Sequence, residues 1–106
     1  MIKVGEHITL DIIGTTKEYD PSVYERVIHK IAKAANVTIL NISKYKFEPQ
    51  GFTILALLAE SHISFHTFPE NGIISFDFFT CGKISPSVAI DTVSYTHLTL
   101  PTTGIV

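Results

Sequence analysis

The side chains best suited to catalysis are concentrated between residues 61 and 81. Because side chains alternate along a β-strand, residues two apart lie on the same face of a sheet. One predicted face in this region carries two histidines, two serines, an aspartate and the only cysteine of the chain: His62, Ser64, His66, Ser75, Asp77 and Cys81. Histidine exchanges protons near neutral pH, and a thiol can act as an acid or a nucleophile. The pattern permits such chemistry, although an ordinary solvated sheet face would show the same alternation.

Two strands joined by a tight turn are predicted to hold these side chains. Alternating runs from Ile63 to Phe68 and from Ile73 to Thr80 flank Asn71-Gly72, which is the strongest short signal for a β-hairpin. A two-residue loop at Asn71-Gly72 predicts the pairs Glu70–Ile73, His66–Asp77 and His62–Cys81. The opposite face is then a core face that carries Ile63, Phe65, Ile74, Phe76 and Phe78.

The rest of the chain supplies the elements that must position this hairpin. Strands are predicted over His7–Ile13, Val37–Phe47 and Phe52–Ala59, and the continuous apolar run of the last is typical of a central strand covered on both faces. Asp20-Pro21 is typical of a helix start, with helical spacing up to Asn36, and Ser85-Pro86 predicts a second helix. This order predicts an α+β fold, a two-layer sandwich in which helices pack on one face of an antiparallel-rich sheet.

Composition predicts one globular domain over residues 1–106, since 45% of the residues are hydrophobic and 17% are charged. A net charge of −2, without a cluster of lysine and arginine, argues against nucleic acid or a membrane as a partner. The longest apolar run, Ile54–Ala59, is far shorter than the ~20 residues of a membrane-spanning helix. No secretory signal is recognisable and a single cysteine suits a reducing compartment, so we expect a cytoplasmic protein. One cysteine also cannot build the usual structural zinc site, and we expect no metal.

One long segment of the chain resembles a known enzyme family. Residues 58–70 read LAESHISFHTFPE and are followed by Phe79-Thr80-Cys81-Gly82, as in the prokaryotic S-adenosylmethionine decarboxylase proenzymes. Lys46–Gly51 and Gly5-Glu6-His7 extend the resemblance, which covers residues 5 to 91 in order and spacing. The resemblance implies a pyruvoyl-dependent decarboxylase that makes its cofactor from its own backbone, without pyridoxal phosphate.

The resemblance implies self-cleavage between Glu60 and Ser61, into a β chain of residues 1–60 and an α chain of residues 61–106. Ser61 would attack the carbonyl of Glu60 in an N→O acyl shift. β-Elimination and hydrolysis would then leave a pyruvoyl group in place of Ser61. This ketone would form a Schiff base with the substrate amine and accept electrons as CO₂ leaves.

Roles for other residues are implied in the same way. His66 is the proton acceptor in processing, Thr53 supports processing, and Cys81 is the proton donor in catalysis. Phe47 matches a position that stacks on adenine, Glu70 matches one near the ribose, and His66 and Phe68 are further substrate-binding candidates. The implied substrate is S-adenosylmethionine, whose product donates aminopropyl groups in spermidine synthesis, and the implied assembly is a homodimer of αβ protomers.

Departures from the family keep other functions open. Thr53 replaces the usual serine, and Ile73-Ile74 replaces Tyr-Ala close to the presumed substrate pocket. Arginine or ornithine, substrates of other pyruvoyl-dependent members of the family, are therefore alternatives, as is a non-cleaving regulatory paralogue. Residues 92–106 are unlike the family, and we expect a foreign tail that does not continue the second helix.

Alternation along the strand also makes a prediction about the cleavage site. Ser61 shares its parity with Ile63, so in a regular strand it points to the core face, away from His66. We therefore expect the Glu60–Ser61 bond to lie at a strand start or a distortion that turns it toward His66 and Cys81.

Overall fold

The structure is a computed structural model that describes residues 4–14, 20–81 and 87–94. Five strands and two helices account for most of these residues. They are β1 (Gly5–Ile13), α1 (Pro21–Ala35), β2 (Ile39–Lys46), β3 (Phe52–Leu58), β4 (Ser61–Phe68), β5 (Ile73–Cys81) and α2 (Ser87–Ser94), with a 3-10 turn at Pro69–Asn71. The predicted α+β fold is confirmed.

All five strands form one antiparallel sheet in the order β1-β5-β4-β3-β2. Strands β1 and β2 are the two edges, and α1 connects them. This helix starts as predicted, because the Asp20 carboxylate accepts a hydrogen bond from the backbone N–H of Ser22 (2.9 Å) and Pro21 opens the first turn. It ends at Asn36, which takes a left-handed conformation with φ 55°.

One face of the sheet holds the hydrophobic core. The largest side chains that are fully buried there come from both layers: Ile12, Tyr24, Ile28, Ile31, Ile54, Leu58, Ile63, Phe65, Phe76 and Phe78. Burial of each such side chain contributes roughly 1.5–3 kcal/mol. Helix α2 contacts α1 and adds the buried Ala89 to the same cluster, so both described helices lie on this face, as predicted.

The opposite face, called the outer face below, is not covered by a helix in the described part of the chain. On β3 it carries Leu55 and Leu57, which are 45% and 53% exposed. The prediction that this strand is covered on both faces is therefore wrong for the single chain. A continuous apolar run does not distinguish a strand buried by its own chain from one whose second face stays open.

The β4–β5 hairpin has a different register from the predicted one. Its loop has four residues, from Pro69 to Gly72, and Gly72 closes it with φ 65° and an N–H that donates to the Pro69 carbonyl. A two-residue loop would have placed Pro69 in the ladder, where it has no N–H to donate. The observed pairs are Phe68–Ile73, His66–Ser75, Ser64–Asp77 and His62–Phe79. Because the shift is two residues, the predicted division into a core face and a polar face is still confirmed.

The C-terminal part of the chain departs from prediction in one respect. Helix α2 continues to Ser94, so the expectation that residues from Thr92 onward do not continue it is wrong for residues 92–94. Its predicted start at Ser85-Pro86 and the tail from residue 95 lie outside the described residues. Among the described helices, none combines the length and apolar character needed to cross a bilayer.

Candidate active site

The Glu60–Ser61 bond lies in the tight turn between β3 and β4. Leu58 pairs with Ser61, which leaves Ala59 and Glu60 as a two-residue loop. Of these two residues only the second, Glu60, has a positive φ, at 59°. The turn types that match the twist of paired strands, I′ and II′, need a positive φ at both residues or at the first, so this loop is neither of them. A left-handed conformation costs a non-glycine residue about 1–2 kcal/mol. The predicted distortion is therefore present, as a strained turn at the start of a strand.

Ser61 itself remains on the core side of the sheet, as its parity predicts. It is 8% exposed, and its hydroxyl donates a long hydrogen bond of 3.4 Å to the carbonyl of Ala59, one residue before the Glu60 carbonyl. The expectation that the turn directs Ser61 toward His66 and Cys81 is therefore wrong within one chain, because both of those side chains lie on the outer face. The distortion is absorbed at Glu60, and the strand that follows is regular.

Cys81, the last residue of β5, lies beside the same turn. Its thiol donates a hydrogen bond to Oε2 of Glu60, with Sγ and the oxygen 2.9 Å apart. This hydrogen bond, followed by desolvation and the carboxylate charge, raises the pKa of the Cys81 thiol. Cys81 is thus placed opposite Glu60 instead of His62, which follows from the shifted register.

Strand β1 packs closely beside Cys81. Gly5 pairs with Cys81, and a Cβ at Gly5 would lie 2.4 Å from the carbonyl oxygen of Thr80 and 2.6 Å from the ring of Phe79. A side chain at this position would push β1 away from the end of β5.

A pocket of about 350 Å³ lies at the other end of β4. It collects Thr53 and all the residues that the resemblance implicates in substrate binding, namely Phe47, His66, Phe68 and Glu70. The amide of Gln50 donates to Oε2 of Glu70 at 3.2 Å and so holds that carboxylate at the pocket. Gly51 also lines it, with φ 89°, and a Cβ there would lie 3.0 Å from the carbonyl oxygen of Thr67. Gln50 and Gly51 were not among the site residues predicted from the sequence.

His66 and Thr53 form a hydrogen-bonded pair in this pocket. They are cross-strand partners on β4 and β3, and Nδ1 of His66 is 2.8 Å from Oγ1 of Thr53. The hydroxyl orients the imidazole and leaves Nε2 to exchange protons. The contact agrees with the supporting role that the resemblance implies for Thr53.

The candidate residues therefore form two groups at opposite ends of β4. Ser61 begins this strand and His66 follows five residues later, which corresponds to a separation of about 17 Å. Their side chains also lie on opposite faces of the sheet. Within one chain, Cys81 contacts Glu60, the residue before Ser61, but the pocket with His66 is a separate place.

A third group lies on the outer face near the start of β4. Oδ2 of Asp77 accepts hydrogen bonds from Nε2 of His7 (2.7 Å) and of His62 (3.2 Å), and the Ser64 hydroxyl donates to Oδ1. Burial alone would raise the pKa of Asp77, but the hydrogen bonds from Ser64, His7 and His62 outweigh it and lower the pKa.

His7 was not predicted from the sequence as a site residue. Its polar position in the alternation of β1 was the available signal. That signal places His7 on the outer face of its own strand, but it does not reveal that β1 pairs with β5 and brings His7 to Asp77.

Comparison with known sequences finds one family. The chain matches the S-adenosylmethionine decarboxylase family over residues 6–96. It is 48% identical over 81 residues to the S-adenosylmethionine decarboxylase proenzyme of Prochlorococcus marinus, across 74% of this chain and 65% of that protein. The proenzyme of Methanococcus vannielii is 42% identical over 85 residues, across 78% of this chain and 70% of that protein. The chain thus spans about two thirds of the length of these relatives.

Comparison with solved structures agrees. The crystal structure of the adenosylmethionine decarboxylase from Aquifex aeolicus superposes with a TM-score of 0.75 and 34% identity. The superposition covers 97% of this chain and 87% of the other. By sequence and by fold, the chain belongs to the S-adenosylmethionine decarboxylase family.

Proposed function

We propose that the chain is the precursor of a pyruvoyl-dependent S-adenosylmethionine decarboxylase that cuts itself between Glu60 and Ser61. The observation that carries the proposal is the turn around this bond. A serine there follows a strained left-handed residue, and the thiol of Cys81 is hydrogen-bonded to that same residue. The product would be the aminopropyl donor used in spermidine synthesis.

Ser61 supplies the nucleophile for cleavage. Its Oγ adds to the carbonyl carbon of Glu60, the C–N bond breaks, and the hydroxyl proton passes to the released amine, which gives an ester. Removal of the Cα proton of residue 61 expels the Glu60 carboxylate, and water then releases ammonia to leave the pyruvoyl group. In the intact chain Oγ donates a hydrogen bond to the Ala59 carbonyl, and attack requires this hydrogen bond to break. Release of the strain at Glu60 favours cleavage by about 1–2 kcal/mol.

Cys81 is suited to act as the proton donor in decarboxylation. The pyruvoyl ketone, when present, supplies a carbonyl that binds a substrate amine and takes up electrons as CO₂ leaves. Cys81 adjoins the turn where that ketone would be made, so the residues present fit the group. The raised pKa keeps its thiol protonated at neutral pH, as a general acid requires.

The pocket suits the nucleoside part of the substrate. Phe47 and Phe68, which are 47% and 41% exposed, offer aromatic faces to an adenine ring. Glu70 offers carboxylate oxygens to ribose hydroxyls. A volume of about 350 Å³ falls within the range of small-molecule sites. Arginine and ornithine have no ring to stack, so the aromatic lining favours S-adenosylmethionine.

A second copy of the chain would unite the pocket with the turn. In a two-fold symmetric dimer every contact occurs twice. If a residue of the first protomer contacts a given residue of the second, the same residue of the second contacts the same given residue of the first. An antiparallel copy on the outer face would set His66 and Thr53 of one protomer toward the end of the other sheet that carries the Glu60–Ser61 turn. The Ser61 side chain would still have to leave the core face to reach them. It would also cover Leu55 and Leu57. We therefore infer a homodimer with two shared sites, in which His66 accepts the proton during processing across the interface.

Denaturing electrophoresis and intact mass test the cleavage. The wild-type chain should give fragments that correspond to residues 1–60 and 61–106, and the second should be lighter than a serine-ended fragment by the mass of ammonia. Ser61→Ala should give one uncut species. A wild-type chain that remains intact after prolonged incubation would contradict the proposal.

Release of labelled CO₂ tests the substrate. S-adenosylmethionine should be decarboxylated, whereas arginine and ornithine should not. Phe47→Leu should raise KM for S-adenosylmethionine, whereas Tyr45→Leu, which removes the exposed ring that Phe47 contacts outside the pocket, should change it much less. A cleaved protein active only on arginine or ornithine would overturn the substrate assignment and leave the cleavage intact.

A further inference from the structure

We propose that His7, His62 and Asp77 form a binding site for a divalent transition metal ion of the zinc type. The three residues come from three adjacent strands, with β5 and its Asp77 between β1 and β4. Composition led us to expect no metal, because one cysteine cannot build a thiolate site. Two histidines and a carboxylate are an alternative zinc ligand set that needs no cysteine.

The geometry of the three ligand atoms is close to that of a zinc site. All of them lie within 4.8 Å of one another, and both Nε2 atoms approach the same oxygen of Asp77, at 2.7 and 3.2 Å. Zinc binds nitrogen and oxygen at about 2.0–2.2 Å, so tetrahedral ligands are about 3.3–3.5 Å apart. Each histidine therefore has to move away from Asp77 by less than about 1 Å, and the two Nε2 atoms, which lie within 4.8 Å of each other, have to reach the same spacing.

The surroundings orient these ligands and leave a way in for the ion. Ser64 donates to Oδ1 of Asp77, which directs Oδ2 to the ion in the manner of outer-shell partners at metal sites. The ring of His62 is stacked on Phe79, and His7 packs edge-on against both rings. In the single chain the side chains of His7 and His62 are 48% and 40% exposed, so water can complete the coordination before the proposed second copy covers this face.

An ion at this site would join the two fragments of the processed protein. His7 belongs to residues 1–60, whereas His62 and Asp77 belong to residues 61–106. Coordination would then hold β1 against β4 and β5 in addition to the hydrogen bonds of the β1–β5 ladder. This consequence rests on the proposed cleavage, whereas the metal site itself does not.

Metal binding is tested on the untagged Ser61→Ala chain, which stays intact whatever the outcome for cleavage. Calorimetry with Zn²⁺ should show one saturable site per chain, and Co²⁺ should give the visible absorption of a tetrahedral nitrogen and oxygen site. His7→Gln and His62→Gln, which keep a donor for Asp77, should each weaken Zn²⁺ binding tenfold or more. Ser64→Ala should weaken it by about 10- to 100-fold. His29→Gln, on the exposed side of α1, is the matched control and should have no effect.

Two results would overturn the site: no saturable binding, or binding that His7→Gln and His62→Gln leave unchanged in proteins with unaltered thermal unfolding. The proposed site would also be overturned by a thiolate-to-cobalt absorption band that disappears in Cys81→Ser. Such a band would show that Cys81 coordinates the ion. In the processed wild-type protein, Zn²⁺ should slow separation of the fragments in dilute urea, and His7→Gln should remove this effect. Equal rates with and without Zn²⁺ would refute the joining role.

Discussion

Two inactive variants should rescue each other if the site is shared between protomers. Ser61→Ala removes the nucleophile and His66→Ala removes the proposed proton acceptor, so each variant alone should remain largely uncleaved. A general base must come within about 2.6–3.2 Å of the proton it takes, or act through one water. The two residues of one chain are about 17 Å apart along β4 and lie on opposite faces. One chain alone therefore cannot supply both groups.

The expected yield follows from the two-fold symmetry. A mixed dimer has one site that combines Ser61 of the His66→Ala chain with His66 of the Ser61→Ala chain, while its other site has neither. Random pairing of equal amounts makes about half of the dimers mixed. About half of the His66→Ala chains should therefore be cleaved, and the Ser61→Ala chains should all stay whole.

Co-expression followed by intact mass under denaturing conditions measures this yield, because the two variants differ in mass. A matched control pairs the His66→Ala chain with a chain that carries both substitutions, and it should give no rescue. Uncut His66→Ala chains in the first mixture would refute the shared site. Rapid cleavage of His66→Ala by itself would show that His66 is not the acceptor.

Four further predictions concern the pocket, the thiol and the two faces of the sheet. Thr53→Val removes the hydroxyl that orients His66 and should slow processing in timed gels. Thr53→Ser keeps the hydroxyl and should be processed at a rate near that of the wild type. Equal processing rates for the two variants would contradict a role for the Thr53–His66 hydrogen bond. In the Ser61→Ala chain, Glu60→Gln should lower the pKa of Cys81, because it removes the carboxylate that raises this pKa. Alkylation of the thiol by iodoacetamide should then become faster at mildly alkaline pH. The control is Glu48→Gln, at an exposed glutamate, and it should leave the alkylation profile unchanged. Phe78→Ala should lower the free energy of unfolding in urea by about 3–5 kcal/mol, since this ring is fully buried. Leu57→Lys should instead convert dimer to monomer in sedimentation, and a variant that remains dimeric would argue against an interface on the outer face.

The local pattern of the sequence was enough to predict every strand and helix that the structure describes. Asp20-Pro21 and Asn36 bound α1 because capping depends only on the neighbouring backbone. The hairpin loop was harder to predict. Asn71-Gly72 is a strong turn signal, but Pro69 cannot take part in the ladder, so the loop is longer and the register moves by two residues.

The candidate site was predictable to the extent that it depends on one hairpin and on a long resemblance. Cys81 lies beside Glu60. A separate pocket holds the other residues that the resemblance implies, except Ser61: Phe47, Thr53, His66, Phe68 and Glu70. Their division between two ends of β4 was not expected. The motif residues are close in sequence, but an extended strand separates residues five positions apart by about 17 Å. The order of residues in the motif does not reveal this separation.

The sequence by itself determined which side chains share a face, because alternation along a strand is a local property of the backbone. Alternation also assigned Ser61 to the core face, whereas the expected distortion that would turn it toward His66 and Cys81 did not move it from that face. Only the tertiary structure decided which strands are neighbours, because that choice depends on how the whole sheet buries its apolar face against α1. Pairing of β1 with β5 brings His7 to Asp77, and the length of β4 keeps Ser61 away from His66.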